Sequence, residues 1–328
     1  QHSDARVAEH LDRDVYAEGG HREICTQYHK TVLRDISHVA LTARANGRSG
    51  LLEDAEAAPN LHRAYDWLIK LVSPTLETPP LHSAVFSTDW SIYALIGASE
   101  FGRADFRWLA DRFWEKGQVP NQKSPTAFAN YLLCEQLDAG DTVQPHKPQW
   151  DDVLLQSSGF AILREGWDPD DRYLVFQFGQ GNTSHAYPGA LSFLLQDHGE
   201  LLATQPGSPR SYRHPAYKYC NTTRAHNVVS IDLANQPREG GIAPGGKLQA
   251  HSAAADAWFV QASCEGYMEP FGATIRRQIA AIPDGPVVIR DRVDGAAGHT
   301  AHWNLHTPLD SYVTGKIATI TGEQQYTL

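Results

Sequence analysis

Apolar positions up to about residue 140 recur every three or four residues, which is the period of an amphipathic helix. One apolar stripe begins at Tyr28, continues to residue 40 and is followed by Asn46-Gly47, a pair typical of a helix end. Further helices are predicted from three start signals, namely Asn60 and Asp89 as N-caps and Ser124-Pro125 as a cap followed by a first-turn proline. This part of the chain is therefore predicted to be helical.

The period becomes two after the segment DTVQPHKPQW, residues 141–150. The stretches GFAILREGW, RYLVFQFGQG, ALSFLLQDHGELLAT and HNVVSID are predicted strands, and RRQIAAIPDGPVVIRDRV is a predicted hairpin. Few helices interrupt these strands, so the sheet is expected to be antiparallel. We predict an α-helical domain over residues 1–145 and an antiparallel β domain over residues 146–328.

Composition narrows the class of protein and of partner. The chain has 328 residues, of which 41% are hydrophobic, and this is enough for two globular domains. There are 28 basic and 38 acidic residues, and a net charge of −10 argues against a nucleic-acid partner. No apolar run reaches the ~18 residues that a membrane span needs. The four cysteines form no CxxC pair, which excludes a zinc ribbon and leaves a disulfide open.

Polar side chains are dense in three stretches. The first, EGGHREICTQYH, brings His21, Glu23 and Tyr28 to the start of a predicted helix. Tyr28 lies on the apolar face of that helix, so it is either a core tyrosine or a tyrosine at a helix end that faces a cleft. The second, FGQGNTSHAYPGALSF, places His185 directly before a predicted strand, where it is either structural or part of a site.

The third stretch, YRHPAYKYCNTTRAHNVVSID, combines tyrosines, an arginine, a histidine and an asparagine in one loop before a strand. Packing alone does not account for such a set. Aromatic faces, guanidinium groups and amides are the groups that bind a sugar acid. The candidate ligand contacts are Tyr212, Tyr219, Arg224 and Asn227.

The three stretches, in this order after a helical region, resemble the heparinase II/III-like polysaccharide lyases, which include oligoalginate lyases. The family pattern reads roughly DGGHxExSxxYH, SHAHxDALSF and TRAHNTVxVD, and this chain has EGGHREICTQYH, SHAYPGALSF and TTRAHNVVSID. The resemblance covers about residues 15 to 310. It implies an α+β fold in which an α/α toroid, incomplete in this chain, is followed by an antiparallel β-sandwich.

The resemblance also implies a chemistry, which is β-elimination at a uronic acid of an acidic polysaccharide, with no redox cofactor. Tyr28 matches the family's acid or base, and His185 matches the histidine that assists it. His21, Glu23, Tyr212, Tyr219, Arg224 and Asn227 are then the expected substrate-binding residues. A periplasmic or secreted location is the family's usual setting.

The chain departs from the family pattern in two ways. The Asn-His pair that neutralises the substrate carboxylate lies upstream of the GGH stretch in the family, so we expect this chain to be a fragment with little activity alone. The second difference concerns the structural zinc of many members. His226 matches one zinc ligand, but Tyr187 replaces a histidine, Gly189 replaces a nearby carboxylate and Gln205 stands near the position of the aspartate ligand.

A neutral phenol and an amide are poor zinc ligands, so no zinc is predicted. His226 is expected to be held by hydrogen bonds, with the Tyr187 hydroxyl as a candidate partner. A metal site rebuilt with His214 is the competing expectation.

Two other functions stay open. The first is a carbohydrate-binding protein of the same fold without catalytic activity, which Tyr187 favours and which Tyr28 and His185 oppose. The second is a glycoside hydrolase, which needs two carboxylates beside the scissile bond. Glu23 is the only acidic candidate in the motifs, and no carboxylate pair stands out.

Overall fold

The computed structural model describes residues 2–48, 50–53, 57–115, 125–136, 143–179, 185–209, 211–239, 242–322 and 325–327. The chain forms two compact units. The helical unit comprises Gln1–Val72, Leu76–Pro79 and Phe86–Trp150, and the β unit comprises Ser73–Thr75, Pro80–Val85 and Asp151–Leu328. The division along the chain thus falls after Trp150, five residues beyond the predicted boundary, and two short segments from the helical half belong to the β unit.

Amphipathic helices build the helical unit, and the predicted stripes face its interior. Leu33, Ile36 and Ala40 are buried on the second helix, and Leu61 and Leu68 are buried on the third. The helices are α1 (His2–Asp14), α2 (Thr26–Ala45), α3 (Ala57–Lys70), α4 (Ser91–Phe101), α5 (Ala104–Glu115) and α6 (Pro125–Gln136).

Two helix starts differ from the sequence-based expectation. Helix α3 begins at Ala57, so Asn60 lies inside its first turn and is not an N-cap. Helix α4 has Trp90 at its N-cap without a side-chain cap bond. The Asp89 carboxylate lies 3.9 Å from the buried Nζ of Lys30, so it partly neutralises a buried charge. Neither start therefore uses the cap residue that the sequence predicted.

The β unit is built from antiparallel pairs throughout its described part, as predicted. Its sheets have the strand orders β1-β2-β3-β4-β5, β10-β9-β8-β7, β11-β6 and β12-β13-β14. The strands are β1 (Asp152–Leu155), β2 (Phe160–Arg164), β3 (Tyr173–Gln177), β4 (Phe193–Asp197), β5 (Glu200–Ala203), β6 (Val229–Ile231), β7 (Gly246–Ala254), β8 (Ala257–Tyr267), β9 (Ala273–Ala281), β10 (Val287–Asp294), β11 (Ala301–Trp303), β12 (Asp310–Thr314), β13 (Ile317–Thr321) and β14 (Gln325–Thr327). Two short helices join them, α7 (Ala216–Cys220) and α8 (Met268–Phe271).

The core of the β unit lies between the five-stranded and the four-stranded sheets. Leu174 and Phe176 of β3 belong to the same buried cluster as Val260 of β8 and Ile279 of β9. Burial alternates residue by residue along β9, because one face of that strand is turned to this core. Two sheets that share one apolar layer form a β-sandwich.

The segment Pro80–Val85 adds to the β unit by hydrogen bonds. The Ser83 N–H donates to the carbonyl oxygen of His185 at 3.2 Å, and the Ser208 N–H donates to the carbonyl oxygen of Ala84 at 2.7 Å. The His82 ring lies 6.5 Å from the Phe160 ring, centroid to centroid. This segment thus carries a histidine into the interior of the β unit.

No helix among the described residues is long and apolar enough to span a membrane. Cys25, Cys220 and Cys264 are free and buried.

Candidate functional site

The two glycines of EGGHREICTQYH allow the chain to lie directly on helix α3. Gly19 has a φ of +100°, and a Cβ atom there would overlap the Arg63 carbonyl group. A Cβ atom on Gly20 would lie 2.5 Å from Nε1 of Trp67. Residues with side chains would push this stretch away from α3. The Gly-Gly pair therefore fixes the position of the residues that follow, including the start of α2.

His21 and His29 form a hydrogen-bonded pair beside α3. The His21 N–H donates to Nδ1 of His29 at 3.1 Å, and the other ring nitrogen of His29 lies 2.9 Å from the Ala64 carbonyl oxygen. His29 therefore carries its proton on Nε2. Burial lowers the pKa of His29 to about 3 and that of His21 to about 4, so both rings are neutral at neutral pH.

Tyr28 lies in the first turn of α2, directly before the fixed ring of His29. It is partly buried, whereas His29 on the neighbouring face of the helix is 2% exposed. Glu23, also partly buried, donates its backbone N–H to Nδ1 of His21 at 3.4 Å. Tyr28 thus retains partial exposure in a part of the helical unit whose backbone is tightly held.

The loop that carries His185 is anchored in the β unit by backbone bonds. His185 is partly buried, and its carbonyl oxygen accepts the Ser83 N–H. Two residues later, the Tyr187 N–H donates to Nδ1 of His82 at 3.0 Å. These two bonds hold the loop of His185 against the segment Pro80–Val85, which is distant in the sequence.

The loop before β6 exposes aromatic rings and a guanidinium group. Tyr219 is 44% exposed, and the Arg224 guanidinium carbon lies 5.8 Å from the centre of its ring. Nε2 of His306 lies 2.9 Å from the Arg224 carbonyl oxygen, which fixes the backbone at this point. Tyr212 is 57% exposed and packs edge-on against Tyr217 at 5.0 Å. Exposed ring faces beside a cation suit an anionic sugar.

Asn227 has a structural role in place of the predicted contact with substrate. Its side chain is completely buried. The amide group donates to the carbonyl oxygens of Phe193 and Thr204 at 2.8 and 2.9 Å, and its oxygen accepts the His306 N–H at 2.7 Å. Both N–H groups and the oxygen of the amide are bonded inside the protein, and the complete burial of the side chain keeps it from contact with a ligand.

His226 is completely buried and is held at one ring nitrogen. Nδ1 lies 2.9 Å from the Thr222 carbonyl oxygen, and Nε2 has no partner among the described residues. The expected hydrogen bond to Tyr187 is therefore not formed, and the two rings meet edge-on at 6.2 Å. A Cβ atom on Gly189 would lie 2.5 Å from Cδ2 of His226, so the glycine makes room for this ring.

The donor atoms near His226 do not fit a zinc ion. The described residues contain no group of three or more histidines, cysteines or carboxylates that could hold a metal. His214, the alternative ligand, is exposed, and its Nδ1 accepts the Ala216 N–H at 3.2 Å. Gln205 offers only an amide, whose nitrogen donates to Oε1 of Gln177 at 3.4 Å. His226, Tyr187 and Gln205 supply only neutral donor groups, which would leave the charge of the ion unbalanced.

A separate pocket of about 490 Å³ lies elsewhere in the β unit. Its lining includes Glu239, Glu265 and Glu269, and none of the predicted site residues. Lys247 also lines the pocket and pairs with Glu265 at 3.5 Å, so the lining has an excess of negative charge, which disfavours a polyanionic substrate there.

Sequence reasoning missed His82. It lies in the helical half of the sequence, in a stretch without catalytic or metal-binding spacing. Only the fold brings it next to Tyr187, and no local pattern signals that contact.

Family models and solved structures agree on what this chain resembles. The model for the heparinase II/III N-terminus matches residues 2–97, and the model for the heparinase II/III-like C-terminal region matches residues 147–324. No curated protein sequence matches the chain.

Two solved structures illustrate the likeness. A heparinase III gene product with methylated lysines aligns at a TM-score of 0.78 with 16% identity, over 98% of this chain and 45% of that one. A heparan sulfate lyase from Pedobacter heparinus aligns at a TM-score of 0.76 with 17% identity, over 97% of this chain and 46% of that one. The chain thus spans less than half the length of these proteins.

At such identities the structural likeness shows the fold, which combines an α/α toroid with an antiparallel β-sandwich. The C-terminal family model alone covers more than half of the sequence. The chain therefore belongs to the heparinase II/III-like family.

Proposed function

We propose that the protein containing this chain is a polysaccharide lyase that cleaves a uronic-acid-containing glycan by β-elimination. The observation that carries the proposal is the Tyr28 phenol, partly exposed at the start of α2 and preceded by the tightly packed Gly-Gly-His stretch. The buried histidines beside it are neutral and hydrogen-bonded, so they support the backbone at this point. Tyr28 is therefore the proposed group that exchanges a proton with a substrate.

In this mechanism Tyr28 serves as base and then as acid. The phenolate removes the proton from C5 of the uronic acid, and the C–H electron pair forms the C4–C5 double bond. The C4–O4 bond breaks, and O4 takes up a proton as it leaves. The charge that develops next to the carboxylate must be stabilised by hydrogen bonds or a cation. His185 is the proposed assistant in these proton transfers, and no redox cofactor takes part.

The proposed substrate is an acidic polysaccharide. Arg224 and Tyr219 supply a guanidinium group and an adjacent ring face, which suit a carboxylate or sulfate on a sugar. The two solved structures are called a heparinase III and a heparan sulfate lyase, which makes a glycosaminoglycan the first substrate to test and alginate the second. A periplasmic or secreted location fits such a polymer and is part of the proposal.

The test is Tyr28→Phe in the full-length protein. We expect the substitution to reduce kcat by at least about 100-fold, because general acid–base catalysis contributes 10²–10⁴-fold. Absorbance of the new double bond measures the rate, and circular dichroism checks the fold. An undiminished rate in this variant would remove Tyr28 from the mechanism.

Tyr93→Phe is the matched control. Tyr93 is a buried tyrosine of α4 whose hydroxyl donates to the Lys30 carbonyl oxygen at 2.9 Å. The Tyr93→Phe substitution removes a phenol hydroxyl from the same unit. We expect it to lower the free energy of unfolding by about 1 kcal/mol and to leave the activity nearly unchanged.

A carbohydrate-binding protein without catalytic activity is the second candidate, and the replacement of a family histidine by the buried Tyr187 favours it. Binding of heparan sulfate oligosaccharides without double-bond formation, in the wild-type protein, would select this candidate.

A further inference from the structure

The buried polar atoms of the β unit that lack hydrogen-bond partners among the described residues include Nε2 of His82, the hydroxyl of Tyr187, Oε1 of Gln205 and Nε2 of His226. We call these four residues the buried polar cluster. A buried polar atom without a partner costs about 1–3 kcal/mol, and native proteins contain few of them. Four that are linked to one another through neighbouring residues therefore point to a bridging group.

The members of the cluster are connected through the structure. Tyr187 is bonded to His82 through its backbone and meets the His226 ring edge-on. The Tyr187 hydroxyl also lies beside the hydroxyls of Ser83 and Ser208, without a bond of normal geometry to either.

Gln205 reaches the same interior through a second amide. Nε2 of Gln205 donates to Oε1 of Gln177, and Nε2 of Gln177 donates to the Gly189 carbonyl oxygen at 3.5 Å. Gly189 is the residue packed against the His226 ring. Gln205 is thus linked to the His226 ring through Gln177 and Gly189.

The two histidines must carry their protons on opposite nitrogens. Nδ1 of His82 accepts the Tyr187 N–H, so a neutral His82 has its proton on Nε2. Nδ1 of His226 faces a carbonyl oxygen, which only accepts, so a neutral His226 has its proton on Nδ1 and a lone pair on Nε2. Complete burial keeps both rings neutral.

This arrangement offers one imidazole lone pair and one N–H, not two lone pairs. Nε2 of His82 cannot coordinate a metal while it carries a proton. It can donate a hydrogen bond, and Nε2 of His226 and Oε1 of Gln205 can accept one each. A single water molecule that accepts from His82 and donates to His226 and Gln205 makes three hydrogen bonds, which is the usual number for a buried water.

We propose that His82 is the positioning residue of this interior: one ring nitrogen holds the loop of His185 and Tyr187, and the other donates through a buried water to His226. The segment Pro80–Val85 then braces by hydrogen bonds a site that needs no metal ion. The part of this inference that concerns His185 rests on the proposed lyase function, and the part that concerns tautomers and metal does not.

The first experiment reads the tautomers and the metal content of the full-length protein. Long-range proton–nitrogen correlation spectra of ¹⁵N-histidine protein, assigned with His82→Asn and His226→Asn variants, should show His82 protonated on Nε2 and His226 on Nδ1. Elemental analysis of protein purified without chelator should show no stoichiometric zinc. Zinc at one equivalent, or both rings protonated on Nδ1, would overturn the proposal.

The second experiment separates the two ring nitrogens of His82. His82→Asn keeps an acceptor near the position of Nδ1 and loses the Nε2–H, whereas His82→Ala loses both. We expect His82→Ala to lower the melting temperature by about 3–6 °C and His82→Asn to lower it less. Chelator should change neither value. The proposal would be contradicted if His82→Ala had the melting temperature of the wild type. It would also be contradicted if chelator lowered the melting temperature of the wild type.

The third measurement is kinetic. If the lyase function holds, His82→Ala should lower kcat with little change in KM, and His82→Asn should restore part of the loss, because the tie to Tyr187 is kept. His251→Ala is the control, since it removes a histidine of the β unit that pairs with Asp152 at 3.0 Å. A wild-type protein without lyase activity contradicts the proposed function alone, and the spectra and melting temperatures still decide the role of His82. Equal kcat in all three variants would contradict the positioning role at His185.

Discussion

Arg224 and Tyr219 form an exposed part of the predicted site. The guanidinium group lies over the tyrosine ring, and the backbone below it is fixed by His306. An arginine in this position presents a flat fork of N–H donors, which matches a carboxylate or sulfate with two parallel hydrogen bonds. Arg224 thus combines a fixed backbone with a solvent-exposed guanidinium group.

We expect Arg224→Ala to raise KM for an acidic oligosaccharide by about 10-fold, which corresponds to the loss of about 1.4 kcal/mol of binding. Arg224→Lys should restore only part of the affinity, because an ammonium group cannot form the two parallel bonds. Steady-state kinetics at two salt concentrations measures the effect. Arg213→Ala, another exposed arginine of the same loop, is the control, and an equal effect of both variants would show only general charge attraction.

Strand β9 fixes two of the predicted site loops at once. The Arg277 side chain, 1% exposed, donates to the carbonyl oxygens of Leu191 and Asn227 and pairs with Asp291 at 2.8 Å. Leu191 follows the His185 loop, and Asn227 follows Arg224. One buried arginine therefore holds the ends of both motifs against the four-stranded sheet.

Arg277→Met should lower the free energy of unfolding by about 3–5 kcal/mol, because it leaves the carboxylate of Asp291 buried without its cation. Urea denaturation followed by fluorescence measures the loss. Arg292→Met on the neighbouring strand is the matched control, since its pair with Asp294 is exposed and should be worth less than about 1 kcal/mol. Similar losses in both variants would mean that the bonds of Arg277 to the two loops contribute little.

For the whole molecule, buried neutral histidines make stability depend on pH. His29 has a pKa of about 3 in the folded protein, because burial disfavours its charged form, and about 6.5 when unfolded. Below pH 6.5 the unfolded chain therefore binds a proton that the folded protein does not. The stability that neutral His29 contributes is complete above this pH and is lost as the pH falls toward 3.

We expect His29→Gln to be less stable than the wild type at pH 7.5 but to lose less stability between pH 6 and pH 5. The difference in slope should approach about 1.4 kcal/mol per pH unit, the effect of one proton. Urea denaturation at several pH values measures both slopes. Parallel curves for the two proteins would show that His29 does not titrate in this window. His38→Gln is the control. His38 also lies on α2 and its Nδ1 is bonded to the Asn130 side chain, but the residue is only partly buried.

How much the sequence predicts depends on how local each feature is. The hairpin of β9 and β10 was predictable, because its turn residues and its alternation of apolar positions lie in one stretch. The role of Asp89, the predicted cap of α4, was not, since it pairs with the buried Lys30, which is distant in the sequence. In the site, the three motifs identified the family. The hydrogen-bond partner of His226 and the role of Asn227 depend on residues far away in the chain.

The segment Pro80–Val85 has a consequence for how this protein can evolve. A gene fusion that joined residues 151–328 to another helical partner would separate the β unit from His82, Ser83 and Ala84, which it uses as its own. The two units are consecutive in the sequence only in part. We therefore expect a β unit that is transferred by recombination near Trp150 to need the segment Pro80–Val85 as well.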